Sequence, residues 1–103
     1  REIIHSDDLA TACVYFMKKK TKHTVINIGT GKDYKIKYYA SLILKVIIPN
    51  RNINIKYDIS KPNGTPRKVM DVSLAKEYGW KSKINLRDSI FMAYQSFLKE
   101  HRR

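Results

Sequence analysis

The sequence predicts a small α/β layer of about three amphipathic helices with two or three short strands. Three observations carry this expectation. Apolar residues recur at helical spacing in three separate stretches, short β-branched runs lie between them, and glycine, proline and asparagine cluster at the joints. With 103 residues and 12.1 kDa, the whole of 1–103 is expected to form a single domain.

Ser6 and Asp7 can cap a first helix, on which Leu9, Ala12, Cys13, Phe16 and Met17 recur with a 3.6-residue period. Its end coincides with Lys18, Lys19 and Lys20, cations that suit a helix C-terminus. Thr24 to Ile28 is short and β-branched, and runs into Gly29 and Gly31, so a buried strand entering a tight turn is expected. Asp33 can cap a second helix carrying Ile36, Ala40, Ile43, Leu44 and Ile47, which Pro49 and Asn50 bring to an end. Ile53 and Ile55 alternate with Asn54 and Lys56 ahead of Tyr57, the pattern of a half-buried strand. From Ser60 to Lys68 two prolines and a glycine leave a long loop. Asp71 or Ser73 then starts a short helix, with Gly79 at its C′ position before Trp80. A last helix begins near Leu86, and Ile90, Ala93, Tyr94, Phe97 and Leu98 line one of its faces. So few short strands make a marginal sheet unless something covers them, as in a piece of a larger fold.

The chain carries 21 Lys+Arg against 9 Asp+Glu, a net charge of +12. Anionic partners follow, from nucleic acid to phosphorylated small molecules. Lysine outnumbers arginine and Ile, Asn and Tyr are abundant, the pattern of AT-rich codons, so the position of the charges says more than their sum. A free-standing basic nucleic-acid module is one reading, but the chain has no RNP motif, zinc-finger pattern or aromatic-interleaved basic helix. The single Cys13 cannot close an intrachain disulfide, and no metal-ligand cluster is visible. No apolar run approaches the roughly 20 residues that cross a bilayer, and Arg1 to His5 has no secretory character. A cytoplasmic protein with no membrane partner is expected.

Several familiar motifs dissolve on inspection. Gly29-Thr30-Gly31 lies where a dinucleotide fingerprint would, but Tyr34 stands in place of its third glycine and no acidic residue ends a following strand. Tyr15 with Lys19 and Tyr57 with Lys61 match a Tyr-x-x-x-Lys spacing without a preceding cofactor domain. Cys13 falls on the apolar face of its helix and reads as a core residue rather than the partner of His5, and adjacent Asp7 and Asp8 suit capping. The Ser60–Lys68 loop is different. Prolines and glycine stiffen it, Asn63 and Thr65 offer neutral polar groups, and Lys61, Arg67 and Lys68 crowd cations together, a combination suited to phosphate.

The run Ser60-Lys61-Pro62-Asn63-Gly64-Thr65-Pro66-Arg67-Lys68-Val69-Met70-Asp71-Val72-Ser73 resembles the SKPDGTPRKLLDVS stretch of the GDP-L-fucose synthases, a branch of the extended short-chain dehydrogenase/reductase family. In the same order Arg1 to Asp8 resembles REFxHVDD, Ile26 to Gly31 resembles INIGTG, and Gly79-Trp80, Tyr94 and Phe97-Leu98 match the family's ending. The resemblance implies a C-terminal, substrate-binding domain of an NADPH-dependent enzyme that converts GDP-4-keto-6-deoxy-D-mannose to GDP-L-fucose and works as a homodimer. In that family the cofactor motif and the catalytic residues precede the point matching Arg1. The Rossmann cofactor domain is therefore expected outside 1–103, this chain should hold no catalytic residue, and alone it should neither bind NADPH nor turn over. Arg1 and Lys68 match cations that meet the GDP-sugar, and Asn63 stands where the family has aspartate. With Lys61 and Arg67 these make up the expected substrate-binding set. A related epimerase or dehydratase acting on another nucleotide sugar is the alternative.

Overall fold

The computed structural model describes residues 1–101. Among them the chain forms four helices: α1 (Ser6–Lys18), α2 (Ile36–Ile47), α3 (Ser73–Glu77) and α4 (Leu86–Glu100).

Each helix end has a local cause. α1 is capped by His5, one residue earlier than expected, whose Nδ1 accepts from the Asp7 N–H at 2.9 Å. That frees Asp8 for a different task. Its buried carboxylate accepts from the main-chain N–H groups of Lys83 at 3.1 Å and Ile84 at 2.9 Å, tying α1 to the segment that leads into α4. α2 starts after Lys35 with no side-chain cap, so Asp33 does not cap it, and it stops at Ile48, just before Pro49. The Asp71 carboxylate accepts from the Ser73 N–H at 3.0 Å where α3 begins. α3 ends in a Schellman turn: Trp80 N–H donates to the Ala75 carbonyl and Gly79 N–H to that of Lys76, both at 2.9 Å, with Gly79 at φ +97° as its C′ position requires. Asn85 caps α4 by accepting from the Asp88 N–H at 2.8 Å.

α2 packs against α4. Beside them a small core joins Ala12 of α1 to Ala75 of α3 and to Trp80, with Ile4, Phe16, Ile26 and Ile28 against it. The Trp80 Nε1–H reaches Thr11 Oγ1 at 3.3 Å, and the Tyr15 hydroxyl donates to the Tyr78 carbonyl.

Two expectations need correction. The two or three short strands do not form: among the described residues there are helices and no sheet. A strand exists through its ladder, and neither Thr24–Ile28 nor Ile53–Tyr57 exchanges a main-chain hydrogen bond with another segment. Both have strand-like composition and no partner, and Val25 stays 75% exposed. One antiparallel-like pair does form, where the Arg1 main-chain nitrogen donates to the Tyr34 carbonyl at 2.7 Å and the Tyr34 N–H to that of Arg1 at 3.0 Å, and it goes no further. Cys13 is also not in the core. It is exposed, because α1 turns Ala12 and Phe16 toward Ala75 and Trp80 and leaves the next position outside.

The described chain is a plate of 50 × 37 × 19 Å with a radius of gyration of 16.7 Å, against about 13 Å for a compact chain of this length. A plate cannot surround its own apolar residues. Met17, Ile36 and Ile59 stay largely exposed, and an open groove of about 880 Å³ between α2, α4 and the N-terminal segment is lined by Ile3, Ile43, Ile47, Ile90 and Phe97. Among the described residues no helix is long and apolar enough to cross a membrane.

Candidate functional site

The polar counterpart of that groove is a cleft of about 880 Å³ where three distant stretches meet: Arg1, the segment Asp33–Ile36, and the loop Asn63–Arg67. The loop takes no regular structure, as its prolines dictate, and all its residues from Lys61 to Met70 are exposed.

Side chains hold the three stretches in register. The Arg1 guanidinium donates through Nη1 to the Thr65 carbonyl, and the Tyr39 hydroxyl donates to the Arg1 carbonyl. Gly64 leaves room for this arginine, since a Cβ there would lie 2.7 Å from Nη2. Arg67 is held as a fork on Asp33, with Nε to Oδ2 at 2.8 Å and Nη2 to Oδ1 at 3.2 Å. A forked pair fixes the guanidinium plane while Nη1 stays available to a ligand. Tyr34 walls one side and stacks on Tyr38 with ring centroids 4.8 Å apart. Burial raises the Tyr39 hydroxyl above its ordinary value of 10.0, with Tyr34 beside it adding to the shift, so it is neutral and donates across the physiological range.

Of the expected substrate-binding residues, the structure brings Arg1, Asn63 and Arg67 to one cleft. Lys61 and Lys68 stand exposed on the same loop without lining it. Asp33 was expected as a helix cap and is instead the partner of Arg67. Glu2, whose carboxylate accepts from Gly31 and Met70, falls within the stretch that resembles REFxHVDD but is not among the expected substrate-binding residues, because its spacing marks no chemistry. His5 and Cys13 form no pair, since His5 is spent on the α1 cap. Among the described residues no group of three or more His, Cys, Asp or Glu could hold a metal.

The glycine turn was the one place where a dinucleotide phosphate could be imagined. The Gly31 N–H is taken by the Glu2 Oε2 at 2.5 Å, and the next helix starts only at Ile36. A turn whose N–H already faces a carboxylate of the same chain does not suit a pyrophosphate.

No protein-family model matches the chain. Among curated proteins, GDP-L-fucose synthase 1 of Arabidopsis thaliana is 38% identical over 99 residues, which is 96% of this chain and 30% of that protein. The GDP-L-fucose synthase of Escherichia coli K12 is 36% identical over 112 aligned residues, covering all of this chain and 34% of that protein. The sequence belongs with the C-terminal part of the GDP-L-fucose synthases. Two solved structures similar to it are named for GDP-heptoses. A GDP-6-OMe-4-keto-L-xylo-heptose reductase from Campylobacter jejuni superimposes with a TM-score of 0.79 at 36% identity, covering 98% of this chain and 31% of that one. A GDP-mannoheptose C4 reductase from the same organism, solved with NADP bound, gives 0.75 at 37% identity over 94% of this chain and 31% of its own. The chain thus spans about a third of the GDP-L-fucose synthases and GDP-heptose reductases that it matches.

Proposed function

We propose that residues 1–103 are the GDP-sugar-holding part of an NADPH-dependent GDP-sugar epimerase/reductase, with GDP-4-keto-6-deoxy-D-mannose as substrate and GDP-L-fucose as product. The observation that carries this reading is the cleft, in which Arg1 meets Asn63 and Arg67 from the far side of the sequence. Arg1, Lys35 and Arg67 set three cations there against the one carboxylate of Asp33, a surplus matched to a diphosphate. The names of the relatives support the same assignment. GDP is common to fucose synthases and heptose reductases while the sugar changes, so the element they share should be the one that reads the nucleotide diphosphate.

In this reading the diphosphate lies between Arg1 and Arg67, Asn63 contacts the nucleoside, and Lys61 and Lys68 reach in from the loop. Asn63 keeps an acceptor oxygen where the family's aspartate has two and a charge, which weakens any bond from guanine or ribose donors. The NADPH seat and the catalytic groups belong to a Rossmann domain outside 1–103, and the exposed apolar faces of the plate are where that domain lies. The complete enzyme is a homodimer. No proton or hydride transfer is assigned to this chain.

Calorimetric titration with GDP, GMP and UDP tests the reading. GDP should bind about tenfold more tightly than GMP, because the second phosphate gains at least one charge-assisted hydrogen bond worth about 1.5 kcal/mol. Equal affinity for GDP and GMP would remove the diphosphate from the cleft. UDP binding as well as GDP would move the chain to another nucleotide sugar. A single-stranded oligonucleotide held as tightly as GDP, and lost at modest salt, would return it to the nucleic-acid reading.

A further inference from the structure

Each of the three stretches around the cleft lies within three residues of a contact made by one carboxylate, that of Glu2. Arg1 is its neighbour in the chain. Its Oε2 accepts from the Gly31 N–H at 2.5 Å and from Thr30 Oγ1 at 3.3 Å, two and three residues before Asp33. Its Oε1 accepts from the Met70 N–H at 2.9 Å, two residues after Lys68 and three after Arg67. The glycine turn is shaped for it, since a Cβ on buried Gly29 would fall 2.6 Å from Oε2. Gly29-Thr30-Gly31 therefore cradles an anion, but the anion is a side chain of the same protein.

From this arrangement we propose that Glu2 is a positioning residue that sets where the basic loop stands over the cleft. A carboxylate is the one side-chain group that accepts on both oxygens with a full charge behind them, and here one oxygen serves the turn and the other the loop. Arg67 is thus fixed twice: its backbone through Met70 and Glu2, and its guanidinium through Asp33, whose own backbone follows the turn that Glu2 holds. Neutralising Glu2 should release the loop while leaving the α2–α4 packing intact.

The ligand-binding consequence rests on the proposed GDP site, whereas the positioning role does not, so two measurements separate them. Glu2→Gln is the informative variant. It keeps the length and shape, yet one of its two ends must present an N–H₂ to an N–H, and Glu2→Ala removes both anchors at the risk of misfolding. Amide hydrogen exchange on the full chain should show Gly31 and Met70 exchanging about tenfold faster or more in Glu2→Gln, with α4 amides unchanged. GDP affinity should fall about tenfold in the same variant, because Arg1 and Arg67 are no longer presented together. Unchanged exchange at Gly31 and Met70, or acceleration spread equally through α4, overturns the inference. If exchange rises locally but the wild-type chain takes up no GDP, the positioning role stands and the GDP-site reading falls. If GDP binds and the variant holds it as tightly as wild type, the loop's placement is set by something other than Glu2.

Discussion

Asp8→Asn should destabilise the domain far more than the same change one residue earlier. Asp8 is 3% exposed, and its carboxylate takes N–H groups from both Lys83 and Ile84. Oδ2 accepts from both N–H groups and Oδ1 also from that of Lys83 at 3.2 Å. An asparagine with its oxygen in the Oδ2 place keeps both partners but loses the charge and sets an N–H₂ against the Lys83 N–H. Losing the charge behind both bonds and facing one donor with another costs roughly 1.5–3 kcal/mol, and Asp8→Ala, which strands both donors, about 2–5 kcal/mol. For a domain of this size about 2 kcal/mol lowers Tm by roughly 8–16 °C. Asp7, exposed and 3.9 Å from the His5 ring, is the control, and Asp7→Asn should shift Tm by less than about 4 °C. Thermal unfolding followed by circular dichroism at neutral pH reads both. If the two variants melt together, Asp8 does not tie α1 to the α4 segment, and the ordering of the 83–85 stretch has another cause.

Four further outcomes are expected. Gly79→Ala should lower stability by more than about 1 kcal/mol in denaturant titration, since φ is +97° and the new Cβ would meet the Tyr15 hydroxyl at 2.5 Å. Gly64→Ala should leave stability within about 0.5 kcal/mol, because the flexible end of Arg1 can move aside, yet weaken GDP binding measured by calorimetry. In a complete enzyme carrying these residues, Lys68→Ala should raise KM about tenfold with a smaller change in kcat, whereas Lys19→Ala at the end of α1 should do little; equal losses would mean that only diffuse charge matters. The Ser73 N–H and hydroxyl hold the Asp71 carboxyl below its ordinary 3.8, so its support for the start of α3 is complete above 3.8 and fades as pH falls through its lowered value; amide shifts of Ser73 and Leu74 that stay flat through an acid titration would contradict this.

The helices were legible because periodicity reports a face, and a face is a local property. Gly79 was legible for the same reason: a C′ glycine answers to a few neighbouring residues, and its Schellman turn forms where the pattern put it. The strands were not, because Thr24–Ile28 and Ile53–Tyr57 have the composition of strands while a ladder belongs to two segments at once. The loop's cations could be read, and Arg1, Asn63 and Arg67 do meet in one cleft. The roles of two acids could not. Asp33 and Asp8 each sit where a cap residue would, and the sequence has no way to show that their partners lie 34 and 76 positions away.

Those separations also set an order of events during synthesis. The first eight residues close on partners far along the chain: Arg1 on Thr65, Glu2 on Met70, Asp8 on Ile84. At about 5–20 residues per second, a ribosome needs roughly 4–15 s to add the stretch between Asp8 and its last partner, whereas a helix such as α1 relaxes in about a microsecond. α1 therefore waits, formed or fraying, with its acidic first turn unclaimed until the final helix begins to emerge. The cleft can close once Met70 has been made, ahead of the Asp8 tie, and any nucleotide that depends on it must wait at least that long.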